Sequence, residues 1–424
     1  MDRLSQFFTK TMREDPQGEE AINAKLLIKA GFIVKQMAGV YTLLSLGFKV
    51  IEKINKIIRE ELNAIGAQEI AMPAFQPKEL WDKTGRWKTA NDVMYQFKDN
   101  SGKDIGLGWT HEEVITQIAT HFIQSYKDLP KAIYQIQTKF RDEPRAKSGI
   151  LRGREFLMKD LYSFHVDEKD RDDYYEKIKD VYQKIFKRIG IKAILTFASG
   201  GTFSKYSHEF QTIADNGEDT IWLCNNCQIA INNEIIEEHG KKCKECDKEL
   251  EKQNAIEVGN IFKLGTKFSQ ALELSINNKD GKKIPVEMAS FGIGPTRIMG
   301  AIVEVNHDEN GIIWGKNVAP YNAHIIEIRN PKFEIRNKSK TQNIKSKTQE
   351  IVDQLENAGL EVLVDDREDV SIGEKLADAD LIGIPWRVVI SEKTLAQDGV
   401  EIKKRDSEKA EIVDVNEALS IMKK

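Results

Sequence analysis

Residues 140–156 read FRDEPRAKSGILRGREF, which puts five cationic side chains and three acids into seventeen positions. The segments on either side, IYQIQTKF ending at Phe140 and REFLMKDLYSF starting at Arg154, alternate in period two. They predict an antiparallel hairpin with a long connection. A turn built only to reverse the chain uses Gly, Pro, Asn or Asp. A connection that gathers guanidinium groups is fitted to an anion. Arg141 and Glu143 share a parity at the end of one strand; Arg152, Arg154, Phe156, Met158, Asp160 and Tyr162 share one on the returning strand. Guanidinium forks grip phosphate or carboxylate oxygens, a carboxylate accepts an exocyclic amine, and an aromatic face stacks on a purine. These are the parts of a nucleotide cradle. The competing reading is a solvated hairpin laced by cross-strand Arg–Glu pairs.

The rest of the chain sets the context for that hairpin. Its 424 residues exceed one ordinary domain, so two or three are expected. With 63 Lys+Arg against 67 Asp+Glu, the chain is not a generally basic nucleic-acid binder, and any nucleic acid must be held by local patches. The start, MDRLSQFFTKTMREDPQGEE, has no apolar stretch of signal-peptide length, and no run of 18 apolar residues occurs elsewhere. The expectation is a cytoplasmic protein that does not enter a membrane.

Val50, Ile51, Ile54, Ile57, Ile58 and Leu62 recur at helical spacing, closed by Gly66. AQEIAMPAF follows as a strand interrupted by Pro73, which marks an edge. Residues 112–122 read as an amphipathic helix with Thr110 as N-cap and Glu113 three residues on. A helix over 171–190, strand-like stretches at 257–274 and 286–291, and a helix opened by Pro295 complete an α+β region with mostly antiparallel strands. From Tyr321 strands alternate with helices (350–358, 373–381 and 415–422), which predicts a separate α/β domain beginning near Pro320. Within it the near-duplicate basic run at 337–349 reads as an expanded, mobile surface loop.

FRDEPRAKSGILRGREFLMKDLYSFH resembles the second signature motif of class II aminoacyl-tRNA synthetases, in the form carried by bacterial-type prolyl-tRNA synthetases. LIKAGFIVKQMAGVYTLLSLGFKVIEKI with GAQEIAMPAF is similar to the N-terminal region and first motif, and GWTHEEVIT to the Thr-x-Glu loop. VGNIFKLGTKFSQAL and SFGIGPTRIMGAIVE resemble the approach to, and body of, the third motif; LEVLVDDRED and LIGIPWRVVI resemble the anticodon-binding domain. The agreement runs in family order over most of the chain.

The resemblance implies an antiparallel-sheet catalytic domain over 1–320 and an anticodon-binding domain over 321–424. It implies a ligase that activates L-proline with ATP and Mg²⁺ and charges tRNA(Pro) as a homodimer. Arg141 would hold the α-phosphate and the amino-acid carboxylate, and Glu143 would accept the adenine amine. Phe156 would stack on the ring, Arg152 would support the substrate anions, and Arg297 would grip the γ-phosphate. Thr110 and Glu112 would receive the secondary amine; Tyr162, Phe262 and Ser290 would wall the ring pocket, and Glu257 would hold Mg²⁺ or ribose.

Two departures stand out. Only about 125 residues separate His165 from Ser290, so the large editing domain that many members insert there is expected to be missing. In its place, over residues 222–250, stand Cys224-x2-Cys227 and Cys243-x2-Cys246, fifteen residues apart and holding all four cysteines. That spacing fits a closed structural Zn²⁺ site of ribbon type rather than unmetallated thiols or an iron site. A catalytically silent, tRNA-binding paralogue is the alternative function; the presence of Arg141, Glu143 and Arg297 argues against it.

Overall fold

The computed structural model describes residues 2–144, 146, 148–201, 203–328 and 338–423, with the backbone alone over 338–343. The loop cations Arg145 and Lys147 and the first residue of the basic run, Asn337, lie outside the described residues. No described helix is long and apolar enough to cross a membrane. Contacts group residues 35–41 and 54–305 into one unit, and residues 1–34, 42–53 and 306–424 into another.

The first unit carries, in chain order, β1 (Gln68–Glu69), α1 (Glu112–Phe122), β2 (Lys131–Phe140), β3 (Glu155–His165), α2 (Glu168–Ile189), β4 (Ile194–Ser199), β5 (Tyr206–Ile213), β6 (Asp219–Cys224), β7 (Ile229–Asn232), β8 (Glu251–Gly265), β9 (Glu287–Ile293) and α3 (Pro295–Val305). The nine strands form one sheet in the order β5-β4-β7-β6-β8-β9-β3-β2-β1, and β5 pairs again with β8. That second pairing closes β4 to β8 into a ring around Ile194, Ile221, Leu223, Ala230 and Ala255. The hairpin of β2 and β3 is antiparallel as expected, from Lys131 opposite Phe164 to Phe140 opposite Glu155. β1 is a two-residue edge, consistent with the proline that follows it.

α2 forms because Tyr175, Ile178, Tyr182, Ile185, Phe186 and Ile189 fall on one buried stripe. Asp167 caps its first turn by accepting from the Asp170 N–H, and Gly190 ends it at φ 94°. It covers one face of the sheet, where Lys159 donates to the Tyr182 hydroxyl and to the Phe291 carbonyl.

Four local expectations change. α1 is preceded by His111 with no side-chain cap, because the Thr110 hydroxyl is engaged with the Glu112 carboxylate. β3 begins only at Glu155; a 3-10 turn over Gly149–Leu151, entered with Gly149 at φ 61°, puts Arg152 and Arg154 in the connection, so strand parity does not orient them. The strand-like reading of 257–274 ends at Gly265, also at positive φ, and Lys267–Ala271 is a short helix.

The fourth concerns the basic run. In the second unit follow β10 (Ala323–Glu327), α4 (Lys338–Asn357), β11 (Val362–Asp365), α5 (Ile372–Ile382), β12 (Trp386–Ile390), β13 (Val400–Lys404), β14 (Ala410–Val413) and α6 (Val415–Lys423). Asp2–Arg3 adds a parallel strand beside β11, so residues 1–34 fold with this unit although the boundary near 320 assigns them to the other. The sheet runs Asp2–Arg3, β11, β10, β12, β13, β14, parallel up to β12 and antiparallel after it. α4 begins at Lys338, so most of the run read as a loop is helical. Ile344, Thr348, Ile351, Val352 and Leu355 are buried along it, a stripe that lysines on the exposed side obscure in the sequence. Ile344→Ala is expected to cost about 2–4 kcal/mol of unfolding free energy by leaving a cavity, and Ser346→Ala on the exposed side about 0.5 kcal/mol or less. Denaturant titration of the two variants checks this.

Candidate active site

Register assembles the open face of the first unit. Phe262 on β8 lies opposite Ser290 on β9, and Ser290 lies opposite Tyr162 on β3. Two residues along, Asn260, Gly292, Asp160 and Gln135 form the next row across β8, β9, β3 and β2. Directly opposed residues in antiparallel pairs point to one face. The three residues expected to wall a ring pocket are therefore neighbours in one row.

The loop before α1 hangs over this floor and is tied down at several points. Thr110 Oγ1 donates to Glu112 Oε2 at 2.6 Å, and both residues are buried. Gln76 Nε2 donates to the Thr110 carbonyl at 3.1 Å, and the His111 N–H donates to the Tyr162 hydroxyl at 3.2 Å. Lys139 Nζ lies 2.8 Å from Asp160 Oδ1 and 2.7 Å from His111 Nδ1, while His111 Nε2 meets the Pro73 carbonyl at 3.0 Å. An ammonium can only donate and a carbonyl can only accept, so the imidazole carries its proton on Nε2. Burial and then the Lys139 charge hold His111 down to about 4, so it stays neutral. Asp160 Oδ2 also accepts from Gln135 Nε2 at 2.9 Å and from the Tyr162 hydroxyl at 3.0 Å. Burial and then Asp160 raise the Tyr162 phenol well above its ordinary value, so it remains a donor.

Beside Glu112, Arg86 is buried and pairs with Glu113 Oε1 and Oε2 at 3.0 and 3.1 Å and with Glu112 Oε2 at 3.3 Å. Its guanidinium sits 4.9 to 5.3 Å from the ring centroids of Trp81, Trp109, Phe203 and Phe268.

Arg141 emerges where β2 ends and extends the ladder through its N–H to the Arg154 carbonyl at 2.8 Å. Its guanidinium lies 5.1 Å from the Phe156 ring, and its Nε is buried with no partner among the described residues. Burial and then the Arg297 charge lower its pKa, against the pull of Glu257, Glu143 and Glu112. Arg297, in the first turn of α3, donates through Nε to the Leu151 carbonyl at 2.9 Å and through Nη1 to Glu257 Oε2 at 2.9 Å. Phe156, Glu257, Asn260, Gly292 and Arg297 line one cleft. Among the described residues, Glu143 makes no side-chain hydrogen bond, whereas Arg152 pairs with Glu218 at 3.4 Å. Behind Glu257, Glu209 is pushed up to about 8, first by burial and then by Glu257, and burial also raises Asp219. The cleft therefore joins an anion-seeking side, Arg141 and Arg297, to a cation-seeking one.

The four cysteine Sγ atoms all lie within 4.8 Å of one another, with Cys227 N–H donating to Cys224 Sγ at 3.4 Å. They close the end of β6, just after residues that pair with the start of β8.

Thus the structure brings together Arg141, Phe156, Arg297 and Glu257 in one neighbourhood, and Thr110, Glu112 and Tyr162 in another that adjoins Arg141 through Trp109, 6.0 Å from its guanidinium. Sequence reasoning missed Arg86, Glu113 as an ion-pair partner, Lys139 and Glu209. For Lys139 a signal exists: Gln135, Gln137 and Lys139 form a polar row at strand parity on the face of β2 that should have been apolar.

A model of the tRNA synthetase class II core domain (G, H, P, S and T) matches residues 95–306, and one of an anticodon binding domain matches residues 326–424. The chain is 38% identical over 445 residues to a proline–tRNA ligase of Agrobacterium fabrum, covering 99% of each. It is 38% identical over 438 residues to that of Rickettsia prowazekii, covering 99% of this chain and 98% of the relative. Against the proline–tRNA ligase of Thermodesulfovibrio yellowstonii, 33% identical, the alignment runs to 562 residues and spans 98% of both, so that relative carries sequence this chain lacks. A solved structure of Giardia lamblia prolyl-tRNA synthetase in complex with prolyl-adenylate shares the fold, with TM-score 0.77 and 20% identity over 93% of this chain and 74% of that one. An arginine hairpin in a nine-stranded sheet, a third-motif arginine in the first turn of α3, and end-to-end similarity to curated ligases agree: the chain belongs to the proline–tRNA ligase family of class II aminoacyl-tRNA synthetases.

Proposed function

We propose that the chain activates L-proline with ATP to prolyl-adenylate and pyrophosphate, then transfers proline to the 3′ end of tRNA(Pro). The observation that carries this reading is the buried acceptor pair of Thr110 and Glu112, which adjoins the under-paired guanidinium of Arg141. A secondary ammonium finds a hydroxyl and a carboxylate there, and the ring finds Tyr162, Ser290 and Phe262 in one row. Arg141 takes the amino-acid carboxylate and the α-phosphate, so attack in line at phosphorus is a matter of positioning and charge rather than of a side-chain nucleophile. Phe156 stacks on adenine and Glu143 accepts its amine. Arg297 grips the γ-phosphate, helped by the free N–H groups at the start of α3. Arg152 reaches the substrate anions after leaving Glu218.

Glu257, with Glu209 and Asp219 behind it, offers oxygen donors that suit Mg²⁺. The raised Glu209 is a carboxyl that such a cation would relieve. A Mg²⁺ ion held by these carboxylates would neutralise phosphate charge. The four thiols suit a structural Zn²⁺ with no open position, which would brace the junction of β6 and β8. We place the catalytic part at 1–320, residues 1–34 excepted because they fold with the C-terminal unit, with the cysteine insertion at 222–250 and the tRNA-reading part at 321–424. The exposed pair Phe75 and Phe97 suits a face covered by a second copy, in keeping with a cytoplasmic homodimer.

Amino-acid-dependent exchange of pyrophosphate into ATP tests the reading. Proline alone should support strong exchange, and Arg141→Ala should lower it by about 10²–10³-fold. The absence of exchange with every amino acid would favour the silent tRNA-binding paralogue. Protein purified without chelator should carry about one zinc per chain; metal analysis that finds none overturns the zinc assignment of the four cysteines. Every described residue between His165 and Ser290 belongs to α2, the ring strands, the cysteine cluster or short connecting elements. The purified protein should therefore leave alanyl-tRNA(Pro) intact, and rapid deacylation would show an editing site.

A further inference from the structure

Arg86 and Glu113 lie outside the residues that touch substrate in the reading above, yet they are as deeply buried as Glu112, at 7% and 0% exposure against 3%. Four aromatic rings box the guanidinium and leave little of it exposed to solvent. Its Nη2 is buried without an acceptor among the described residues, which leaves the cation under-satisfied. It divides itself unequally between two carboxylates: both Glu113 oxygens at 3.0 and 3.1 Å, one Glu112 oxygen at 3.3 Å. Thr84 Oγ1 donates to Glu113 Oε1 at 2.8 Å and fixes that side of the division. Among the described residues no hydrogen bond reaches Glu112 Oε1, the oxygen left over for a ligand.

We propose that Glu113 is a positioning residue for imino-acid binding: by holding the caged Arg86 guanidinium, it keeps the Glu112 carboxylate available to the ammonium of the incoming proline. Arg86 and a substrate ammonium compete for the same carboxylate. With Glu113 neutral, the caged cation has Glu112 as its remaining anion, and the substrate must displace it. The proposal rests on the reading that Glu112 receives the substrate amine.

The charged groups that act on Glu113 are Arg86, from the short helix Arg86–Thr89, and Glu112, from its own helix; the Thr84 hydroxyl comes from the helix Lys78–Thr84. Burial, the largest influence, raises Glu113 to about 7, against the pull of Arg86. Below that pH the carboxyl is protonated and releases Arg86 onto Glu112, so proline binding should weaken as pH falls through about 7.

The test is the KM for proline and for ATP in pyrophosphate exchange, because KM does not depend on how much of a variant is folded. Glu113→Gln should raise the proline KM roughly tenfold while the ATP KM stays within about twofold. Removing the competing cation as well, in Arg86→Met/Glu113→Gln, should return the proline KM toward the parent value. A double variant no better than Glu113→Gln means that the pair is merely structural and overturns the proposal. In the wild-type protein, which needs no variant to fold, the proline KM should rise from pH 8 to pH 6, and a flat profile also overturns it. If Glu112→Gln leaves the proline KM unchanged, the underlying reading of Glu112 fails and takes the proposal with it. If Glu112→Gln impairs binding and Glu113→Gln does not, the proposal alone fails.

Discussion

The ammonium of Lys139 and the carboxylate of Asp160 are buried 2.8 Å apart on the face of the sheet that carries the site. Neither could stay charged there alone, since desolvating one ion costs several kcal/mol. Paired, they organise everything within reach. Lys139 sets the tautomer of His111, and Asp160 orients the Gln135 amide and the Tyr162 hydroxyl. Gln135 and Tyr162 in turn hold the Met72 and His111 backbone N–H groups at 3.1 and 3.2 Å. The loop that presents Thr110 and Glu112 is thus fixed before any substrate arrives. A preset acceptor pair avoids the ordering cost a mobile loop would incur on binding.

The same logic, with the sign reversed, describes the nucleotide side. Burial and the Arg297 charge both weigh against the cation of Arg141, while Glu209 and Asp219 are raised by burial and by the neighbouring Glu257. Each group would be better off with the opposite charge that a metal-bound triphosphate supplies. An active site is where such imbalance is tolerated. Stability comes from elsewhere: the α2 stripe, the ring of β4 to β8 and the cluster around Trp81 and Phe268.

Much of this was legible in the sequence because strand parity and helical period are local. The hairpin of residues 131–165, the helix 112–122 and the Pro295 helix start follow from spacing alone. The row of Phe262, Ser290 and Tyr162 needed the order of strands, which spacing does not carry. Arg86 was invisible for the same reason: its partners come from α1 and its aromatic box from four separate segments. The basic run before residue 350 misled because its charges dominate composition, whereas the buried stripe of Ile344 and Thr348 decides the conformation.

If the site stands on mutual neutralisation of buried charge, Lys139 and Asp160 must be coupled energetically, which a double-mutant cycle measures. Lys139→Met and Asp160→Asn should each destabilise the chain by about 3–5 kcal/mol, because each strands the other's charge or its hydrogen bonds. The double variant should cost much less than the sum, with a coupling of about 2 kcal/mol or more in denaturant unfolding. Additive losses would mean that the two groups are satisfied independently of one another and that the pair does not hold the site together.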